Sequence, residues 1–397
     1  MGEPIPLAQS RTAVPLATVV QNLQPSGIRE FFDIVASRPN CISLGVGEPD
    51  FVSPDAVIQA GVEALRSGYT HYTGNQGFLK LRKAISTYLQ NEYSLAYDPE
   101  TEILITVGVS QGLDLGLRSL INPGDKVLFM SPSYVSYRPM TELCGGVPVE
   151  VPVTAESDFL IPLEDWSSFG RKGIKVILLN YPGNPTGTSP DKQYLEEFAK
   201  IAQKFNWYVI SDEIYADLTY DRKHIPLATI QGMKERTLLL GGFSKAYAMT
   251  GWRIGYACGP AEWIRGLYKI HQYAMLCAPT LSQVAAIAAL EEAGEDKDKM
   301  KEEYCKRRNF FVKALNDLGL ECKLPAGAFY VFPKIEATGF SSMEFARSFL
   351  DKENVAVVPG SAFGKAGEGY IRCSYATSLS DLEKAITRLE RFLQKGI

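Results

Sequence analysis

Histidine is scarce in this chain: three residues in 397, His71, His224 and His271, none in an HExxH pattern. A zinc centre built on paired imidazoles therefore has no support in the sequence. The seven cysteines, at 41, 144, 258, 277, 305, 322 and 373, are odd in number and form no CxxC. That argues against a disulfide-stapled secreted scaffold and reads as reduced thiols in a core. No run of about 18 apolar residues occurs, and the first residues carry only short apolar pieces, without a basic stretch leading into a long apolar one. The expectation is a cytoplasmic protein with no membrane partner. Neither charge sign dominates: 41 basic against 45 acidic residues give −4, with no polybasic cluster. A nucleic-acid partner is not expected from such a balance. Internal repeats and low-complexity tracts are missing as well.

What is present is a globular composition, 46% hydrophobic and 22% charged, on a chain long enough for two or three domains. The middle alternates short β-rich runs with helical patterns, which predicts an α/β fold. Strands are expected at 103–106, 126–130, 147–151, 176–180, 207–211, 237–241 and 253–257, with helices at 111–120 and 194–205. Pro123-Gly124 and Asn184-Pro185-Thr186-Gly187 punctuate them as turns. After about residue 280 the pattern changes to long charged amphipathic helices, 281–293, 299–318, 342–352 and 380–395. Short strands at 329–332, 355–358 and 370–374 lie between them. This predicts a smaller α+β domain over 286–397 beside a large domain over 51–285. Residues 1–50 hold too few apolar positions for a core of their own and are expected to dock on the small domain.

Several strand ends carry chemistry. Gly242-Phe243-Ser244-Lys245 follows a β-rich run, which puts Lys245 where ligands of open α/β sheets bind. A lysine there can form a Schiff base if its surroundings depress its pKa. Arg253, eight positions on, offers a guanidinium fork for a phosphate. Asp212, in Ser211-Asp212-Glu213-Ile214-Tyr215, ends another strand; alone it would read as a helix cap. Tyr215 can donate its phenol proton to an oxyanion. Asn184 stands in a loop held by two prolines and two glycines, and Gly108, Val109 and Ser110 open a helix whose N–H groups could face an anion. Tyr134 follows a further strand and could stack on a planar ring. Together these features ask for one ligand with a carbonyl, a ring nitrogen, a phenolic oxygen and a phosphate, which pyridoxal 5′-phosphate possesses.

Taken in order, Asn184-Pro185-Thr186-Gly187, Ser211 to Tyr215 and Ser244-Lys245 through Arg253 make the whole chain resemble the class I/II aminotransferases of fold type I. The resemblance implies a mostly parallel seven-stranded sheet in the large domain, pyridoxal 5′-phosphate as cofactor, and a ping-pong transfer of an amino group from an L-amino acid to a 2-oxo acid. It implies that Lys245 binds the cofactor and shuttles the proton, and that Asp212 pairs with the ring nitrogen. Asn184 and Tyr215 would meet the ring oxygen, Ser244, Arg253 and residues 108–110 the phosphate, and Tyr134 the ring face. It further implies that Arg372 and the Gly45 backbone grip the substrate α-carboxylate, and that Tyr72 reaches the active site of a second subunit in a homodimer. One departure is Gly242, where some branches have a serine for the phosphate.

Within the family, 362–370, 70–72 and 249–253 look most similar to archaeal aromatic aminotransferases. Other stretches resemble aspartate and N-acetyl-LL-diaminopimelate aminotransferases. The expected donor is aromatic, with aspartate as the second candidate, and the expected acceptor is 2-oxoglutarate. A β C–S lyase on the same scaffold is the alternative chemistry. A non-catalytic regulator is disfavoured because no helix-turn-helix segment is seen before residue 30.

Overall fold

The structure, a computed structural model, describes residues 16–23 and 38–394. After β1 (Ile42–Ser43) come the seven strands of the main sheet. They are β2 (Ile103–Thr106), β3 (Lys126–Ser131), β4 (Val147–Pro152), β5 (Ile174–Asn180), β6 (Tyr208–Asp212), β7 (Thr237–Gly242) and β8 (Gly255–Cys258). Their order is β2-β8-β7-β6-β5-β3-β4, and β8 alone runs antiparallel to its neighbours. Ile103, Leu104, Ile105, Val209 and Ile210 have no exposed surface. A sheet covered on both faces demands such continuous apolar runs. The helices Gly108–Leu120 and Ala261–Ala274 cover one face through Leu113, Leu117, Ile264 and Leu267. Trp166, Phe198 and Trp207 fill the other.

The smaller unit joins β9 (Tyr330–Val331), β11 (Val358–Pro359) and β12 (Ile371–Ser374) in an antiparallel sheet, order β11-β12-β9, while β1 pairs in parallel with β10 (Val355–Ala356). Helices Gly294–Asp317, Ser342–Glu353 and Leu379–Gln394 enclose it. The Ser342–Glu353 helix opens with a capping box between Ser341 and Glu344, which satisfies two N–H groups that would otherwise lack partners.

The structure corrects several expectations. The single strand read at 355–358 is two, because Val355–Ala356 pairs with β1 while Val358–Pro359 pairs with β12. The helix read from 111 starts at Gly108, and the strand read from 253 starts at Gly255, since Arg253 has a left-handed backbone (φ +52°). A domain division at 285/286 would cut the helix Thr280–Glu292, whose Ala285, Ala286 and Ala289 share a core with Val57, Leu81 and Ile85. The geometry therefore groups that whole helix with the large sheet. Of the segment 1–50, residues near β1 join the small unit, and Leu44 N–H donates to the Ala356 carbonyl (2.8 Å). Thr18–Asn22 lies instead beside Tyr137–Leu143 of the large unit; it has no buried side chain that could anchor it in the small-unit core. Residues 1–15, 24–37 and 395–397 fall outside the described residues, and with them the last position of the helix expected over 380–395.

Candidate active site

The C-terminal ends of β5, β6 and β7 open onto a cavity of about 720 Å³ between the two units. Val109, Ser110, Tyr134, Asn184, Asp212, Tyr215, Ser244, Lys245, Arg253 and Arg372, all expected from the sequence, line it. Gly45 and Gly108 adjoin it through Arg372 and Arg253, as described below. Tyr72 is not brought in: its side chain is 82% exposed, away from the cavity.

Lys245 follows β7, and its amine donates to the carbonyl of Gly47 (2.7 Å). Burial lowers its pKa to about 8; Glu48 opposes that shift, while Arg372 and Arg253 add to it. An amine so placed can be unprotonated near neutral pH, which a nucleophile or base requires. Asp212 is the last residue of β6 and is buried. Burial raises its carboxyl pKa to about 6, against the Tyr137 hydroxyl (2.8 Å) and the Ile214 N–H (3.3 Å), which favour the charged form.

Asn184 stands beyond β5, after the cis peptide Tyr181–Pro182 and before the cis peptide linking it to Pro185. Its backbone N–H donates to Asn180 Oδ1 (2.9 Å), and its Oδ1 accepts from Arg372 Nη1 (3.0 Å). Arg372 also donates through Nη2 to the Gly45 carbonyl, and among the described residues its Nε has no partner. Burial lowers the pKa of this guanidinium, with Tyr330 and Tyr215 acting against the shift. Among the described residues no carboxylate pairs with it, although it is 2% exposed. A buried cation left this way is a receptor for an anion.

Gly108 opens its helix at φ +70°, where a Cβ would come 2.8 Å from Arg253 Nη2. The absent side chain lets the guanidinium lie against the helix N-terminus, so a cation and free N–H groups converge there. Arg253 is itself held by a bond from Nη1 to the Thr250 carbonyl (2.9 Å). At Gly242 a Cβ would meet Ile214 at 3.1 Å and Val109 at 3.3 Å. A serine there would press on both, which gives the departure from other branches a steric reason.

Three lining residues, and a fourth just behind the lining, carry no signal that the motifs isolate. Tyr330 sits in an apolar run that reads as plain strand. Asn180 looks like the end of β5. Tyr137, which touches the cavity group Asp212, reads as core. Glu48, inside a glycine-proline turn, accepts from the Thr250 hydroxyl (3.2 Å); only the crossing of the 45–48 strap over the cavity gives it a place.

This donor set fits pyridoxal 5′-phosphate on features of the structure alone. It offers an amine of depressed pKa, a buried carboxylate with no cation in contact among the described residues, a guanidinium over a helix N-terminus, and space for a ring between them. Comparison with known proteins agrees. The aminotransferase class I and II family profile matches residues 39–389. A Bacillus subtilis protein named as an aminotransferase, YugH, is 49% identical over 96% of this chain and 98% of its own. An aspartate aminotransferase of Pyrococcus abyssi is 43% identical over 94% and 97%. The crystal structure of an aromatic aminotransferase from Pyrococcus horikoshii OT3 superimposes with a TM-score of 0.88 at 42% identity, over 93% of this chain and 99% of that one. The chain belongs to the class I and II aminotransferases and is a pyridoxal 5′-phosphate-dependent enzyme of amino-group transfer.

Proposed function

We propose that the enzyme moves the amino group of an aromatic L-amino acid to a 2-oxo acid such as 2-oxoglutarate, with aspartate as the second candidate donor. The bound cofactor supplies an electron sink for the bond broken at the substrate Cα. Lys245 holds the cofactor and then carries the proton from Cα, its depressed pKa suiting an amine that must both take and return a proton. Asp212 would face the ring nitrogen, where a cation would lower the carboxyl pKa that burial raises. Asn184 and Tyr215 would meet the ring oxygen. Ser244, Arg253 and the backbone of Gly108, Val109 and Ser110 would hold the phosphate, and Tyr134 would cover the ring. Arg372 and Gly45 orient the α-carboxylate and so select the bond that breaks.

The observation that carries this reading is the convergence of Lys245, Asp212 and Arg372 on one cavity. The preference for an aromatic side chain is supported by Val46, Val109, Leu113, Val135, Ile214 and Tyr330 in its lining. Beyond Lys245, Arg253 and Arg372, no further cation lines it among the described residues. A homodimer is supported by the exposed apolar surface of Tyr69, Tyr72, Tyr273 and Met275, with Tyr72 directed to the second subunit's site. Seven unpaired cysteines suit a reducing compartment such as the cytoplasm.

The test is the half-reaction followed by the cofactor's absorbance. Phenylalanine or tyrosine should shift the band fully at low millimolar concentration, and aspartate only at higher. A shift with aspartate alone would replace the aromatic donor.

A further inference from the structure

Tyr330 lies outside the motifs read from the sequence, yet it touches two of the groups assigned roles above and the strap beside Lys245. β9 and β12 pair with Tyr330 opposite Ser374. Arg372, two positions along β12, therefore presents its side chain on the same face as a diagonal neighbour. The guanidinium lies 4.5 Å from the Tyr330 ring centroid. The Tyr330 hydroxyl is 2.9 Å from the Tyr215 hydroxyl, with the two rings edge to face at 5.8 Å. On the third side a Cβ at Gly47 would come 2.4 Å from the Tyr330 oxygen, so the strap that receives the Lys245 amine closes directly on this phenol. The ring is 1% exposed, and its edge lines the cavity.

We propose that Tyr330 is a positioning residue of the transfer reaction: its ring sets the plane of the Arg372 guanidinium, and its hydroxyl backs that of Tyr215. The proposal rests on the roles given above to Arg372 and Tyr215. Its two parts have separate physical origins. Arg372 spends Nη1 and Nη2 on Asn184 and Gly45, and its Nε meets no acceptor among the described residues. The aromatic face fixes the fork in a plane and is a favourable neighbour for its charge. The second part is a relay. If Tyr215 gives its proton to the cofactor's ring oxygen, its own oxygen is left to accept from Tyr330, 2.9 Å away. A phenol that accepts a hydrogen bond donates its own proton more strongly, so this bond strengthens the one Tyr215 would give. The substrate grip and the cofactor contact thus share one side chain.

The experiment uses the holoenzyme and reads the pH midpoint of the cofactor's visible absorbance beside steady-state kinetics. Tyr330→Phe keeps the ring and removes the hydroxyl. Its midpoint should rise by about half a unit, because weaker donation leaves more negative charge on the ring oxygen to hold the titrating proton. Tyr215→Phe should raise it further, and the double variant should match Tyr215→Phe alone. Tyr330→Leu, which takes the ring from Arg372, should raise KM for the amino donor roughly tenfold above that of Tyr330→Phe. A wild-type midpoint in Tyr330→Phe beside a shifted Tyr215→Phe, or additive shifts in the double variant, overturns the relay and leaves the Tyr215 role standing. An unshifted Tyr215→Phe overturns that role and the relay with it. Equal KM values for Tyr330→Leu and Tyr330→Phe overturn the part played by the ring.

Discussion

Two buried regions of this enzyme handle charge in opposite ways. Beside the helix Gly294–Asp317, each arginine is matched by the protein itself. Arg307 donates to both oxygens of Asp50 at 2.9 Å, and Arg308 meets Asp221 at 2.7 and 3.0 Å and the Pro325 carbonyl at 3.0 Å. In the cleft, Asp212 and Arg372 are as well buried and Lys245 is half-buried, yet among the described residues none of them has an ion-pair partner within contact. Leaving charges unmatched costs stability. The difference teaches that the first region is finished by folding, whereas the second is completed by what it binds.

The largest effect expected to test this contrast is at the amine. Lys245→Ala should abolish turnover while the melting temperature of the cofactor-free protein stays equal or rises, since a buried amine has been removed. Near-normal turnover would break the functional side of the comparison. Next come the two buried arginines. Arg372→Ala should lower kcat/KM roughly 100-fold or more, from lost charge-assisted bonds to the substrate carboxylate, with little change in unfolding. Arg308→Ala should do the reverse, costing about 2–4 kcal/mol of stability in a denaturant titration with KM unmoved. Equal losses of stability in both variants would erase the distinction.

A smaller effect concerns pH. The Asp212 pKa is raised from 3.8 to about 6 in the folded protein. The native state thus binds more protons than the unfolded one between these values, and stability from this group is present below pH 3.8 and lost as pH rises through 6. Without cofactor, the melting temperature of Asp212→Asn should gain on wild type as pH rises from 3.8 to about 6. A constant difference across that window would show that burial does not control this carboxyl. The smallest effect is at the cavity mouth. Glu48 raises the pKa of Lys245 from an exposed position, so Glu48→Gln should lower the pH at which the free amine titrates by only a few tenths of a unit, less at high salt. A shift above one unit would mean that Glu48 acts as a close partner of the amine.

Much of the fold was legible before any coordinates. The seven main strands lie near their expected positions; six leave the apolar signature of strands buried on both faces, while the edge strand β4 is partly exposed along its length. Boundaries slipped where backbone geometry intervened, as at Arg253 with its left-handed φ. Candidate site residues were legible where a compact motif ends a strand or follows it within a few residues, as at Asp212, Lys245 and Asn184. Tyr330 was not, since an aromatic in an apolar run carries the same pattern whether it fills a core or lines a cleft; Tyr137, between Ser136 and Arg138, bears no local mark of the Asp212 carboxylate it meets 75 residues away.

By itself the sequence determined the strand and helix alternation, the motif order and hence the reaction class, since each is written in residues close together along the chain. Tertiary structure alone decided how the substrate side is built. Arg372 meets Gly45 and Asn184, and Lys245 meets Gly47, across separations of 327, 188 and 198 residues. Local propensity cannot encode such contacts; they exist because the strap from β1 and the sheet of β9, β11 and β12 close over the ends of β5, β6 and β7.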